Sequence, residues 1–321
     1  MVVSPKIFFN DCYGEYAIAA VNVFTMEQVH GLFSAAERAN APFMVQLTPV
    51  ARNYAHARML SAMIDAAAKI YPKAVYAVHL DHGNEEHAFD AINSKKYQSV
   101  MIDASHDDFE TNVVRTRTVV EKAHQANIVV EAELGVLAGV EDDIDIAEEH
   151  SCYTQPSEVA VFVNATKCDS LAVAVGTSHG AYKFSGGQGI QFHILKEIQD
   201  RLNGFPIVLH GGSAVNVEEI ERINQAGGKL TEGAAGVAPE EIVKSIKYGV
   251  CKINIATDTR LLWARVHREF FEQTPDLFDP ILPGKEYMQE YEKFMLQKFE
   301  LLGATGKAER IRANNKIVMS R

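Results

Sequence analysis

Short, nearly continuous runs of apolar and β-branched residues alternate along the chain with longer stretches whose apolar positions recur every three or four residues. The eight runs are Ala17–Val23, Phe43–Thr48, Val75–His82, Ser99–Ala104, Ile128–Gly135, Ser170–Gly176, Pro206–Gly212 and Val250–Thr257. A strand in a parallel sheet is covered on both faces and tolerates few polar positions, which is the pattern seen here. The segments between them, Met26–Ala39, Tyr54–Ile70, Glu85–Ser94, Phe109–Gln125, Ser157–Thr166, Gln191–Leu202, Val217–Gln225 and Thr259–Glu272, predict amphipathic helices that rest one stripe on that sheet. Asp108, Ser157 and Asp258 stand where N-caps belong, and Pro72 closes the second helix. Eight strand–helix units spread over about 250 residues predict an α/β fold, a (β/α)8 TIM barrel. A C-terminal helical extension follows from Gly284 to Gly303. An open doubly wound sheet would carry fewer strands and a glycine fingerprint after the first, where this chain runs from Asn22 into Val23, Phe24 and Thr25. No linker rich in Pro, Gly and Ser divides residues 1–321, so one domain is expected, with the basic and polar residues 304–321 as a loose tail. Leu137–Asp143 and Gly227–Gly236 read as long mobile loops.

Composition narrows the function. With 47% hydrophobic and 23% charged residues, the chain has the balance of a soluble globular enzyme and not that of a disordered or fibrous protein. Forty-two acids against 31 bases leave a net charge of −11, and the bases are scattered, so nucleic acid is not an expected partner. An anionic substrate must then be held by a local site that opposes the global field. No apolar run reaches the roughly 20 residues needed to span a bilayer, and the start lacks the marks of a secretion signal, so a cytoplasmic protein without membrane association is expected. Cys12, Cys152, Cys168 and Cys251 lie too far apart to suggest a disulfide framework or a thiolate zinc site.

In a (β/α)8 barrel the reacting groups sit at the C-terminal ends of the strands. Those ends hold Asn22, Thr48, Asp81 with His82, Asp103, Glu131 with Glu133, His179, His210 and Asn254. One histidine in such a place is ordinarily a hydrogen-bonded structural residue. Three of them, His82, His179 and His210, from three different strands on one face, suggest a three-histidine site with an open fourth position, as zinc uses when it acts as a Lewis acid. His30, His56, His124, His193 and His267 fall on helical segments and read as surface or packing residues. Strand alternation points Asp81 and His82 to opposite faces unless the strand end twists, so the placement of Asp81 stays open. The turns His210-Gly211-Gly212-Ser213 and Asn254-Ile255-Ala256-Thr257-Asp258 follow the last two barrel strands, where barrel enzymes often bind phosphate through backbone N–H groups and a helix N-terminus. Lys183 either adds one positive charge there or is solvated. A metal beside a phosphate pocket ringed by carboxylates suggests polarising the carbonyl of a phosphorylated sugar and moving a proton next to it.

Six segments carry a resemblance: HLDH at 79–82, MIDAS at 101–105, EAELG at 131–135, GTSHG at 176–180, LHGGS at 209–213 and KINIATD at 252–258. With them nearly the whole chain resembles the zinc-dependent class II fructose-bisphosphate aldolases and the related tagatose-bisphosphate aldolases. The resemblance implies Zn2+ held by His82, His179 and His210, with Asp103 and Glu133 helping to form a second metal position. It implies that Asp81 exchanges the proton of the C4 hydroxyl, and that Glu141 moves the proton at C1 of dihydroxyacetone phosphate, although Asp142 and Asp143 stand beside Glu141 in the same loop. Gly180, Gly211, Ser213, Asn254 and Thr257 match positions that bind the dihydroxyacetone phosphate half, often with a monovalent cation, Na+ or K+, nearby. Asn22 and Thr48 match substrate-facing positions. Ala256 is the residue that tagatose enzymes carry where fructose enzymes carry Asp, whereas Arg260 resembles the fructose enzymes, in which an arginine here meets the distal phosphate.

The expected activity is therefore reversible cleavage of fructose 1,6-bisphosphate to dihydroxyacetone phosphate and glyceraldehyde 3-phosphate, with metal-stabilised enediolate chemistry. Tagatose 1,6-bisphosphate or another ketose 1-phosphate is the alternative, and a non-catalytic sugar-phosphate or metal-binding barrel a remote one. A Schiff-base mechanism would need a lysine inside the barrel; the sixth strand offers none, and Lys252 is not expected to face the site because Asn254 already does. The resemblance also implies a homodimer or homotetramer. Tyr291, Phe294, Met295, Phe299 and Leu302 then either meet a partner subunit or pack on their own barrel.

Overall fold

The computed structural model describes residues 1–141, 144–146, 151–178, 180, 189–230 and 236–319. Its barrel strands are β1 (Ile18–Asn22), β2 (Pro42–Leu47), β3 (Val75–Gly83), β4 (Ser99–Ile102), β5 (Val129–Leu134), β8 (Ser170–Val173), β9 (Ile207–Leu209) and β10 (Val250–Ile255). They close in the order β1-β10-β9-β8-β5-β4-β3-β2, and every neighbouring pair is parallel. The two remaining strands, β6 (Gly139–Glu141) and β7 (Ile144–Ile146), pair antiparallel outside the barrel. Leu137–Asp143 is thus in part a hairpin and not only a loop, because Gly139 to Glu141 find strand partners in Ile146 to Ile144. Of Gly227–Gly236, residues 231–235 lie outside the described residues.

Helices α2 (Met26–Ala39), α3 (Pro49–Ala55), α4 (Ala57–Ile70), α5 (Glu85–Ser94), α6 (Phe109–Gln125), α7 (Pro156–Thr166), α8 (Phe192–Arg201), α9 (Val217–Gln225) and α10 (Pro239–Ile246) connect the strands, and α11 (Thr257–Gln273) follows β10. Before β1 comes α1 (Pro5–Cys12), whose Cys12 thiol lies 3.6 Å from the carbonyl of Cys251. Periodicity alone did not expose α1, α3 or α10, because each spans only two turns or so. The expected helix 54–70 is broken at His56, which takes a φ of 63° between α3 and α4, so that residue is a helix junction and not a helical one. Asp108 caps α6 by accepting from the N–H of Thr111 at 2.9 Å, as expected. Ser157 does not cap α7: the helix starts at Pro156, whose fixed φ and missing N–H suit a first helical turn. Asp258 is no cap either. It lies inside the first turn of α11, and its carboxylate reaches across to Ala214 and Val215.

Beyond the barrel, α12 (Ile281–Leu301) lies along α2 and α11, and Tyr287, Tyr291, Met295 and Phe299 bury their side chains in the core of the same chain. Phe299 joins the aromatic group of Phe33, Phe43 and Tyr76 at a ring distance of 6.4 Å from Phe43. This face of α12 therefore covers its own barrel. The described part of the expected loose tail 304–321 is ordered: α13 (Lys307–Met319) follows, Ala304, Ala308 and Ile311 are buried, and Arg310 binds Asp11 and Glu15. The spacing of 304, 308 and 311 is that of an amphipathic helix, a signal the basic composition of the segment hides. Ile311→Ala is expected to cost about 2 kcal/mol in chemical denaturation by leaving a buried void, whereas a loose tail would give no change.

Candidate active site

Polar side chains enter the barrel in pairs two residues apart: Gln46 and Thr48 from β2 and its end, His79 and Asp81 from β3, Glu131 and Glu133 from β5, and Lys252 and Asn254 from β10. A strand repeats its facing every second residue, so these pairs form two storeys of one lumen. In the upper storey the buried Asp81 carboxylate accepts from Asn22 Nδ2 at 3.0 Å and Gln46 Nε2 at 3.3 Å on one oxygen, and from Asn254 Nδ2 at 3.3 Å on the other. Gln46 also donates to Asn22 Oδ1 at 2.6 Å, which ties β1, β2, β3 and β10 together around one carboxylate.

His82 faces the same way as Asp81, contrary to strand alternation. Its φ is 47°, and the pairing of β3 with β4 shifts register between Leu80 and Gly83. A left-handed conformation costs a residue with a Cβ about 1–2 kcal/mol, and here it delivers two adjacent polar side chains to one site. His82 Nδ1 lies 2.8 Å from Asp103 Oδ2, and its Nε2 lies 3.0 Å from His210 Nδ1. His210 Nε2 is 2.9 Å from Glu131 Oε1.

Each carboxylate can only accept when ionised, so it selects the imidazole tautomer that donates to it. Burial opposes the charge of Asp103, but the hydrogen bond and charge of His82 outweigh it and hold the carboxyl well below the usual range. Burial, with the charges of His82 and Lys252, pushes His210 well below the usual imidazole value and keeps it neutral. When His82 and His210 are both neutral and each donates its outer N–H to its carboxylate, the lone pairs of His82 Nε2 and His210 Nδ1 face each other in a buried space. That arrangement calls for a cation between them, and carboxylate-backed histidines are the usual outer support of a metal site. The donor set fits a metal on its own chemistry. Asp81, His82 and His210 bring ligand atoms within 4.8 Å of one another, as do His82, Asp103 and Glu133. Burial, with Asp103 beside it, pushes the Glu133 carboxyl well above its usual value, and its Oε2 is buried without a protein partner, which fits a second cation position.

The lower storey holds a lysine. Lys252 is fully buried, with its ammonium 3.0 and 2.9 Å from the two oxygens of Glu131 and 3.5 Å from His79 Nε2. This corrects the expectation that no lysine faces the barrel interior: Lys252 shares the facing of Asn254 because the two are separated by one residue. Burial and the Lys252 charge push His79 well below its usual value, and its Nδ1 meets Ser99 Oγ at 2.9 Å. Gln46, His79 and Lys252 were not singled out from the sequence as site residues. The two-residue spacing of polar positions in otherwise apolar runs is the signal that would have found them.

The turn after β9 forms the neighbouring cradle. Gly211 has a φ of 62°, and a Cβ there would overlap the carbonyl of Ser178, so the backbone at this point can be approached closely only as glycine. Gly212 packs against Ile253, and Ser213 Oγ accepts from the N–H of Asp258 at 3.4 Å. Helix α11 begins at Thr257 beyond Ala256, which has no capping side chain, so the positive end of the helix lies beside this cradle, with the Asp258 N–H on Ser213 Oγ and those of Thr259 and Arg260 on the Ala256 carbonyl. Ile255 buries its side chain in the hydrophobic core, so a contact of this residue with a ligand would be through its backbone. Thr48 is buried, and its hydroxyl caps α3 by accepting from Ala51 at 3.1 Å. Arg260 sets its guanidinium 5.0 Å above the Phe24 ring. Gly180 is half-buried at a φ of 80°. His179, Lys183, Asp142 and Asp143 lie outside the described residues; Glu141 ends β6, and its side chain is likewise outside them.

No helix among the described residues is long and apolar enough to cross a membrane. A family model described as fructose-bisphosphate aldolase class-II matches residues 5–307. The fructose-bisphosphate aldolase of Thermus caldophilus is 41% identical over 296 residues, covering 91% of this chain and 95% of that protein. The fructose-bisphosphate aldolase of Giardia intestinalis is 38% identical over 299 residues, covering 92% and 90%. The crystal structure of the YdjI aldolase from Escherichia coli K12 superposes with a TM-score of 0.75 at 29% identity, over 96% of this chain and 100% of that one. The chain belongs to the class II fructose-bisphosphate aldolase family, metal-dependent carbon–carbon lyases that act on sugar phosphates.

Proposed function

We propose that the protein is a zinc-dependent aldolase that reversibly cleaves fructose 1,6-bisphosphate to dihydroxyacetone phosphate and glyceraldehyde 3-phosphate. The observation that carries this reading is the approach of His82 Nε2 and His210 Nδ1 to 3.0 Å, beside the thrice-held carboxylate of Asp81 and with a carboxylate behind each ring. His82 and His210, with His179, would hold the ion, which supplies polarisation of the ketone carbonyl and stabilisation of charge on its oxygen. Asp81 takes the C4 hydroxyl proton as the C3–C4 bond breaks and returns it in condensation, and Asn22, Gln46 and Asn254 hold its oxygens in place for that transfer. Glu141 carries the second proton, to or from the carbon left with the electron pair. Gly180, Gly211, Ser213 and Thr257 receive the phosphate of the dihydroxyacetone half, beside the positive end of α11 and through the Ser213 hydroxyl, with Na+ or K+ nearby. Asp103 and Glu133 form the second metal position with His82. Arg260 receives the distal phosphate.

A second reading, tagatose 1,6-bisphosphate, rests on Ala256, which is buried at the start of α11 and brings no polar group to the site. Release of dihydroxyacetone phosphate from the two bisphosphates, measured in parallel on chelated and zinc-restored enzyme, separates them. The expected result is a kcat/KM for the fructose ester at least about tenfold higher, lost on chelation and regained with zinc. A preference for tagatose would make Ala256 the specificity determinant. Turnover that survives complete removal of metal would overturn the mechanism. The reading extends to a cytoplasmic homodimer or homotetramer, supported by free cysteines at all four positions and by apolar Phe271, Phe278 and Ile281 exposed around the α11–α12 junction.

A further inference from the structure

We infer that Asp258 is a positioning residue that clamps the turn after β9 in a strained shape suited to phosphate, with Lys298 of α12 cancelling its charge. The inference rests on the reading that Gly211 to Ser213 receive the substrate phosphate. Val215, two residues beyond Ser213, has a φ of 47°. A β-branched side chain is a true outlier in that region, and such strain persists only where the surroundings impose it. Here the imposing group is visible: one oxygen of Asp258 accepts from the N–H of Ala214 at 3.1 Å, and the other from the N–H of Val215 at 2.8 Å. The Asp258 N–H in turn points at Ser213 Oγ at 3.4 Å. One residue thus joins the β9 turn to the first turn of α11, the two walls of the anion cradle.

A buried carboxylate next to an anion site would repel the anion. Lys298 answers this, with its ammonium 2.8 Å from Asp258 Oδ2. Lys298 also lines a cleft of about 650 Å³ together with Leu261, Phe294 and Leu301. Replacing it by methionine therefore removes the charge without forcing a packed neighbour to move. Among the described residues the pair makes no hydrogen bond or ion pair with Asp81, His82, Asp103, Glu133 or His210, and it acts on substrate through the backbone it holds.

The test uses zinc-loaded full-length enzyme, with inorganic phosphate binding by calorimetry and KM and kcat for the ketose bisphosphate as readouts. Asp258→Asn keeps the shape but loses one acceptor and the charge. It is expected to weaken phosphate binding and raise KM by about tenfold or more, as befits loss of a charge-assisted hydrogen bond, with kcat nearly retained because the lost interaction is ground-state anchoring. Adding Val215→Gly, which accepts a positive φ without strain, should recover part of that loss. Lys298→Met should raise KM by leaving the carboxylate uncancelled, and Lys298→Arg should restore it; these two carry the test if the Asp258→Asn variant does not fold. A D258N enzyme that melts earlier but binds phosphate like wild type, or a KM unmoved by Lys298→Met, would reduce the clamp to a structural contact and overturn the inference. Equal phosphate binding by wild type and Ser213→Ala would instead overturn the phosphate reading of the turn itself.

Discussion

Replacing Asp81 by asparagine should lower kcat by a factor of about 10²–10⁴, the range that a positioned proton-transfer group contributes, while the histidines still bind zinc. Among the described residues the hydrogen bonds to the carboxylate all come from amide donors: Asn22 and Gln46 on one oxygen, Asn254 on the other. An asparagine must turn its own NH2 toward one of these donors, so at least one contact becomes a repulsion, and no basic oxygen remains to take the C4 hydroxyl proton. Steady-state kinetics beside metal analysis decide the matter. A variant that keeps its zinc and loses less than about tenfold in kcat would place the acid/base elsewhere. Loss of zinc together with activity would show that Asp81 serves the metal, consistent with its lying within 4.8 Å of the ligand atoms of His82 and His210.

Lys252→Met should destabilise the metal-free protein by about 3–5 kcal/mol, the usual cost of removing one partner from a buried ion pair. Methionine nearly matches the lysine stem in volume, so the loss is electrostatic. Among the described residues Glu131 would keep only the imidazoles of His210 at 2.9 Å and His79 at 3.8 Å, both fully buried, and no permanent cation. Because Glu131 selects the tautomer of His210, the same substitution should weaken zinc binding, read by competition with a chelator of known affinity. The double variant Lys252→Met with Glu131→Gln removes both charges and should recover most of the stability without recovering the zinc affinity. A stability change in the single variant below about 1 kcal/mol would mean that Glu131 is compensated by groups other than Lys252.

Much of the candidate site was legible because a barrel buries both faces of every strand, so a polar residue at a strand end stands out against an apolar run. His82, His210, Asp103, Glu133 and Asn254 were found in that way, and the described residues bring them to one end of the barrel. Polar residues placed within the apolar runs were not. Gln46, His79 and Lys252 look like interruptions of a strand until the lumen is seen to be polar along half its length. The helices α12 and α13 show the same limit from the other side: the apolar spacing predicted α12, while what it covers depends on contacts with α2, some 250 residues away in sequence.

The sequence by itself determined the alternation of strands and helices, the barrel class and the residue types available at the strand ends, because these follow from local periodicity and from burial on both sides of a strand. Tertiary structure alone decided that Asp81 and His82 face the same way, since the left-handed turn at His82 is imposed by its neighbours and carries no glycine to announce it. It also decided that Lys252 lies beneath the metal candidates, that Asp258 grips the turn after β9 in place of capping its own helix, and that the last helix is packed against the first. Each of these is a contact between residues distant in sequence, formed only after the barrel closes, and no local pattern encodes it.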